Sequence, residues 1–165
     1  IFAEEPGQLI ELSDLAKELK ISRQAVSTYL SYLEKSFLLR KLYNFSGNRR
    51  KTERKLKKYY PAIISTELLF SNDRLSNSKM FEWLAVNQLR AEFFWRDPYQ
   101  HEVDVILANR EVLPVEIKYG KIDFSGMLAF MKRFNVNSGY VISLEEEFEQ
   151  KFGEKTISVI PALFK

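Results

Sequence analysis

Two carboxylates on neighbouring strands are the residues of this 165-residue chain best placed to do chemistry. His101–Ala108 and Val112–Tyr119 read as strands joined by Asn109-Arg110-Glu111, a three-residue hairpin loop. Alternation sends Val103, Val105 and Leu107 to one face, with Leu113, Val115 and Ile117. The other face carries Glu102 and Asp104 on one strand, Glu116 and Lys118 on the next. Centring the hairpin on Arg110 places Asp104 opposite Glu116 and Glu102 opposite Lys118. Like charges facing each other across strands destabilise a sheet, and a divalent cation between them turns that penalty into ligation. Hard oxygen ligands suit Mg²⁺ or Mn²⁺, whereas Zn²⁺ favours His or Cys, which are scarce here. The alternative is a solvent-washed face with a Glu102–Lys118 salt bridge worth at most ~1 kcal/mol.

A third acid, Glu82, shares a helical stripe with Val86, Leu89 and Phe93. A carboxylate on an apolar stripe is costly to bury unless it is paired or ligates a metal; otherwise it is a boundary residue reaching water. The elements that must position these groups follow from periodicity. Tyr59–Ser65 reads as a short strand or connector, and Ser78 as the cap of a helix to about Ala91. Strands follow at Glu92–Arg96, His101–Ala108, Leu113–Tyr119 and Gly139–Leu144, a helix at Phe124–Phe134 and a last strand at Ile157–Ile160. The expected class is α/β (α+β), a sandwich around one sheet.

Upstream the pattern is different. Leu12, Leu15, Ala16 and Leu19 recur at helical spacing, with Ser13 as a candidate cap. Ser22 is placed to cap a second helix whose apolar stripe is Val26, Tyr29, Leu30, Leu33 and Phe37. Its other face shows Arg23, Gln24, Ser27, Thr28 and Ser31, the side-chain types with which a recognition helix meets bases and phosphates. Phe37–Tyr43 reads as a β segment, and Asn44–Asn48 as a turn. Residues 49–58 then hold seven basic side chains against one acid, beginning with Arg49, Arg50 and Lys51. Such a block tracks a phosphate backbone by releasing counterions, or is a solvated linker or wing tip. Residues 1–58 carry a net charge of +6 and residues 59–165 a net of −3, so two modules are expected, 1–56 and 57–165.

Composition narrows the classes. Hydrophobic residues at 45 % and aromatics at 14 % supply a core and exclude disorder for most of the chain. With no Cys, disulfide scaffolds, thiolate metal sites and cysteine nucleophiles are excluded. No apolar run approaches ~18 residues and no signal-peptide pattern opens the chain, so a cytoplasmic protein without membrane association is expected. The first residue is Ile1 rather than Met, which suggests a module upstream.

Leu15-Ala16-Lys17-Glu18-Leu19, Ile21-Ser22, Val26-Ser27-Thr28-Tyr29-Leu30 and Leu33-Glu34 together resemble winged helix-turn-helix domains over about residues 9–45. Glu82, Asp104 and Glu116-Ile117-Lys118 resemble the PD-(D/E)XK nuclease core, except that Val103 rather than Pro precedes Asp104. That resemblance implies Asp104 and Glu116 as metal ligands, Lys118 as the electrostatic catalyst and Glu82 as a further ligand or water-orienting acid. The order of the whole, with Leu56-Lys57-Lys58-Tyr59-Tyr60 between the two, is similar to the C-terminal region of prokaryotic AAA+ ATPases. It implies an ATPase module upstream. Nothing in this chain binds nucleotide: Gly153-Glu154-Lys155-Thr156 lacks the Gly-Lys adjacency and earlier Gly of a phosphate-binding loop.

The expected function is a DNA-associated module with a Mg²⁺-dependent phosphodiesterase site. Alternatives are a catalytically inactive nuclease-like interaction module and a regulator using only the winged helix. His101 is expected to be structural, Tyr119 to sit at the mouth of the site or pack on the sheet, and Trp83 and Trp95 to pack. Glu145-Glu146-Glu147 and Glu149 are expected at a solvated helix start.

Overall fold

The computed structural model describes residues 2–48, 52 and 56–162. Among these, nine strands form one mixed sheet and five helices lie against it, an α+β architecture. The chain order is β1 (Gln8–Ile10), α1 (Leu12–Leu19), α2 (Arg23–Lys35), β2 (Leu39–Asn44), β3 (Lys57–Pro61), α3 (Thr66–Phe70), α4 (Arg74–Gln88) and β4 (Phe93–Arg96). It continues with β5 (Glu102–Ala108), β6 (Val112–Lys118), α5 (Ser125–Phe134), β7 (Ser138–Ser143), β8 (Phe148–Phe152) and β9 (Lys155–Pro161). Across the sheet the order is β1-β3-β2-β4-β5-β6-β7-β9-β8.

In α2 the Ser22 side chain accepts the amide of Ala25, as a capping serine should. In α1 the cap position falls on Glu11 instead, and Ser13 lies inside the helix with its hydroxyl donating to the Glu11 carboxylate. Val26 and Leu30 are buried against Leu15, Ala16, Leu39 and Tyr59. Tyr29 (58 % exposed) and Phe37 (87 %) do not join them. Phe37 sits past the helix end with φ +59°, which turns its ring to solvent.

Asn44 is not a turn residue. It ends β2, is buried, and its amide donates to the Arg96 carbonyl (3.0 Å) while its carbonyl accepts the Arg96 amide (3.2 Å). This clasp and the parallel pairs Tyr43↔Phe93 and Asn44↔Phe94 carry the sheet from the first strands into the rest. The division at 56/57 is therefore no break in the sheet, because β3 is hydrogen-bonded between β1 and β2.

Helix α4 begins at Asp73, whose carboxylate accepts the Ser76 amide, so Ser78 is one turn inside rather than the cap. Glu145–Glu149 start no helix; the chain enters β8, an edge strand whose exposed side chains face water. Lacking a packed face, this segment gives no apolar periodicity to read.

The hairpin of β5 and β6 has the expected register, with Val105↔Val115, Ile106↔Pro114, Leu107↔Leu113 and Ala108↔Val112. Its strict alternation does not hold, because β5 is irregular opposite β4. Phe93 pairs with Ile106 but Trp95 with Val103, so one extra residue of β5 is accommodated. Val103 joins the core under α5, with Met127, Phe130 and Met131, while Val105 joins that under α4, with Phe81, Ala85 and Val86. Helices cover both faces, so the carboxylate face is not solvent-washed.

Candidate functional site

Glu82, Asp104 and Lys118 line one cleft of about 290 Å³ together with Arg74, Ser78, Ile117, Tyr119, Gly120 and Lys121. Helix α4 supplies the first acid, β5 the second and the end of β6 the lysine. Glu116 is buried beside this cleft rather than on its wall. Its Oε1 lies 2.7 Å from Lys118 Nζ, and its Oε2 is buried with no hydrogen-bond partner among the described residues. Asp104 is also buried and accepts the Ile117 amide on Oδ2 (2.8 Å). The four residues expected from the sequence thus form one electrostatic cluster.

A fifth residue, absent from the sequence reading of this site, lies at its centre. Alternation along β3 turns Lys57 and Tyr59 toward α2, and Lys58 and Tyr60 toward the acids. Lys58 Nζ lies 2.5 Å from Glu102 Oε1, 3.4 Å from Glu82 Oε1 and 3.9 Å from Asp104 Oδ1. The Tyr60 hydroxyl donates to Glu82 Oε1 (2.6 Å), and Arg96 Nη1 holds the other Glu102 oxygen at 2.8 Å. Glu102 therefore pairs with Lys58 and Arg96, not with Lys118 as the hairpin alone suggests. In the sequence Lys58 reads as the end of a basic run; its one local signal is sharing a strand face with Tyr60.

Burial shapes the titration of the cluster. Desolvation, then the Glu82 charge, pushes Asp104 up to about 6. Desolvation, then the Asp104 charge, pushes Glu116 up to about 8. Burial by itself would lower Lys58, but Tyr60, Glu82, Asp104 and Glu102 hold it well above the usual lysine range. Burial likewise opposes the rise of Lys118, which Glu116 and Asp104 drive upward.

These shifts fix the sign of a pH effect. A carboxyl whose pKa is higher in the folded state gives stability that is complete below its unfolded value, about 4. That stability is lost as pH rises through about 6 for Asp104 and about 8 for Glu116. Glu102 shifts the other way, downward against its desolvation because of Lys58 and Arg96, so its contribution changes only at acid pH. In metal-free solution the melting temperature is expected to fall from about pH 4 to about 8, both groups contributing up to about pH 6 and Glu116 alone above it. The loss is ~1.4 kcal/mol per pH unit and group, roughly 2–4 °C for each kcal/mol. Glu116→Gln should flatten the part between about pH 6 and 8; a wild-type profile that is level or rises over that range contradicts the assignment.

Among the described residues, no three His, Cys, Asp or Glu side chains are grouped to ligate one ion as they stand. The donor chemistry of Asp104 and Glu116 nonetheless fits a small hard cation, and Glu116 Oε2 is an unsatisfied buried acceptor. Mg²⁺ is commonly held by one or two carboxylates, with waters and substrate phosphate completing its shell.

The other expected contacts are partly placed. Arg23, Gln24 and Ser27 are exposed on α2. Arg23 and Ser27 line a cleft of about 550 Å³ with Lys41, Lys57 and Tyr59. Thr28 is half-buried and its hydroxyl donates to the Gln24 carbonyl (3.0 Å). Arg49, Arg50 and Lys51 lie outside the described residues. His101 Nδ1 is 2.9 Å from Asp97 Oδ2 in the turn before β5, away from the cleft. Trp95 is core, Trp83 donates to the Pro61 carbonyl (2.7 Å), and Tyr119 both lines the cleft and packs on Phe81. Among the described residues no helix is long and apolar enough to cross a membrane.

Two family models match this chain. A domain of unknown function (DUF8612) covers residues 1–62 and so includes β3. A second, DUF4143, is a domain found in AAA-ATPase-associated proteins and covers residues 78–164, which hold Glu82, Asp104, Glu116 and Lys118. No curated protein and no solved structure matches. Because the second match spans more than half of its length, the chain belongs to the DUF4143 family of domains of unknown function.

Proposed function

We propose that this chain is a DNA-associated, nuclease-like module of an AAA+ ATPase-type protein with a Mg²⁺- or Mn²⁺-dependent phosphodiesterase site. The observation that carries the reading is Glu116 Oε2, a buried acceptor without a partner among the described residues, on a carboxyl that burial and the nearby Asp104 charge push upward. Asp104 and Glu116 would hold the ion. When bound, it supplies Lewis-acid charge to a phosphoryl oxygen and a more acidic water. Lys118 sets a positive charge on the cleft wall, where negative charge develops in phosphodiester cleavage. Arg74 and Lys121 extend that charge along the rim and suit a phosphate backbone. Glu82, fixed by Tyr60 and Lys58, is placed to orient water.

DNA association rests on the first segment. The elements β1, α1, α2, β2 and β3 fit a helix-turn-helix with a β wing, α2 being the recognition helix. Arg23, Gln24 and Ser27 are its exposed contacts. Thr28 contributes less because its hydroxyl is turned back onto the helix. Arg23→Ala, or neutralising Arg49, Arg50 and Lys51, should weaken binding to duplex DNA and flatten its salt dependence. Affinity unchanged in both variants contradicts these contacts.

A second reading is an interaction module of the same fold without catalysis. It is favoured by Lys58, which already neutralises acids of the cleft. Incubation with plasmid and Mg²⁺, beside Asp104→Ala and Lys118→Ala, separates the two. Nicking lost in both variants, with Mn²⁺ binding lost in Asp104→Ala, supports the enzyme. No bound Mn²⁺ and no variant-dependent nicking supports the interaction module.

A further inference from the structure

Lysine is almost never buried unless paired, and the Lys58 side chain is only 6 % exposed. Its ammonium meets carboxylates from α4 and β5 and lies 5.6 Å from the centre of the Phe94 ring. Three acids brought this close, in a place poor in water, need a positive charge between them. Arg96 meets one oxygen of Glu102, Tyr60 donates to Glu82 and the Ile117 amide to Asp104, and Lys58 is the one cation within 4 Å of all three acids among the described residues. Lys58 is thus a cation tethered to the chain among three carboxylates, which as they stand with the ammonium in place are not grouped to ligate one ion. Where two ions serve phosphodiester cleavage they lie ~3.5–4 Å apart and clamp the attacking and leaving oxygens. Asp104 interacts with both groups, lying 3.9 Å from Lys58 Nζ and acting through its charge on Glu116 and Lys118.

We propose that Lys58 is the built-in second cation of the cleft: it fills the position among Glu82, Glu102 and Asp104 that a second divalent ion would take, so that the cleft accepts one ion, on the Asp104–Glu116 side. This rests on the reading of Asp104 and Glu116 as metal ligands. It also makes the first matched segment a contributor to the site of the second, because Lys58 comes from β3. Lys58 is a positioning residue in this scheme: it fixes how many ions enter and where the acids stand.

Counting Mn²⁺ bound by the full chain, from the paramagnetic resonance of the free ion, tests this without any substrate. Wild type should bind one ion, and Lys58→Met should bind a second with at least tenfold higher affinity than any further binding to wild type. Thermal unfolding gives a parallel readout: Lys58→Met should be unstable in chelator and restored by millimolar Mn²⁺, while wild type gains less. Lys58→Met with Glu102→Gln removes one charge of each sign, and serves where the single variant folds poorly. Two ions on wild type, or one ion on wild type and on both variants, overturns the proposal while leaving the Asp104–Glu116 site intact. No ion on wild type but one on the variants upholds the role of Lys58 and removes the metal site of the native chain. No ion on any of the three removes both. Failure of both variants to fold even in millimolar Mn²⁺ also counts against the proposal, since an ion able to replace the ammonium would restore them.

Discussion

Lys118→Ala is expected to lower Mg²⁺-dependent plasmid nicking by about 10²–10³-fold, the usual loss when one preorganised electrostatic contact to a transition state is removed. The lysine is well suited to that role. It is partly buried at the cleft wall, and its Nζ is held 2.7 Å from Glu116 Oε1, so it need not be reorganised when negative charge develops. Its loss should act on kcat more than on DNA affinity, because the contacts proposed for the duplex lie on α2. Asp104→Ala should reduce nicking at least as far, with loss of Mn²⁺ binding as well, whereas Lys118→Ala should retain the ion. Supercoiled plasmid converted equally by wild type and both variants would show that any cleavage comes from elsewhere.

Phe130→Ala should cost about 3–5 kcal/mol of stability, as expected for emptying a fully buried aromatic site. For a chain of this size that lowers the melting temperature by roughly 6–20 °C. Phe130 is completely buried on α5, with ring centres of Phe134 at 4.5 Å, Trp95 at 5.4 Å and Phe45 at 6.0 Å. Phe45 lies in the segment matched by the first family model and the others in the second. The cluster therefore binds the two segments across the Asn44–Arg96 clasp, and unfolding should stay a single transition that moves as a whole. Calorimetry showing two transitions, with only one displaced, would establish independent modules.

Much of the site was legible because its signals are local. The three-residue turn between two apolar runs fixed the register of the β5–β6 hairpin, since loop length sets which residues face each other. That register brought Asp104 and Glu116 together, and helical spacing put Glu82 on the covering helix. Ser22 declared itself because a cap acts within three residues.

What remained hidden depends on partners far away in the chain. The extra residue in β5 is set by its pairing with β4, and it moves Val103 and Val105 into different cores. Tyr29 and Phe37 fit a helical stripe, yet the available core was already closed by Leu15, Ala16, Leu39 and Tyr59. Lys58 and its neighbour Lys57 are alike in the sequence; only the gathering of acids from α4 and β5 on one face of β3 makes one of them a buried counter-ion. The sequence by itself determined which residues carry charge and which strands bring them side by side, because propensity and alternation act over a few residues. Tertiary structure decided which charges lose their water, and with it whether the acids meet an ion, a proton or the ammonium of Lys58.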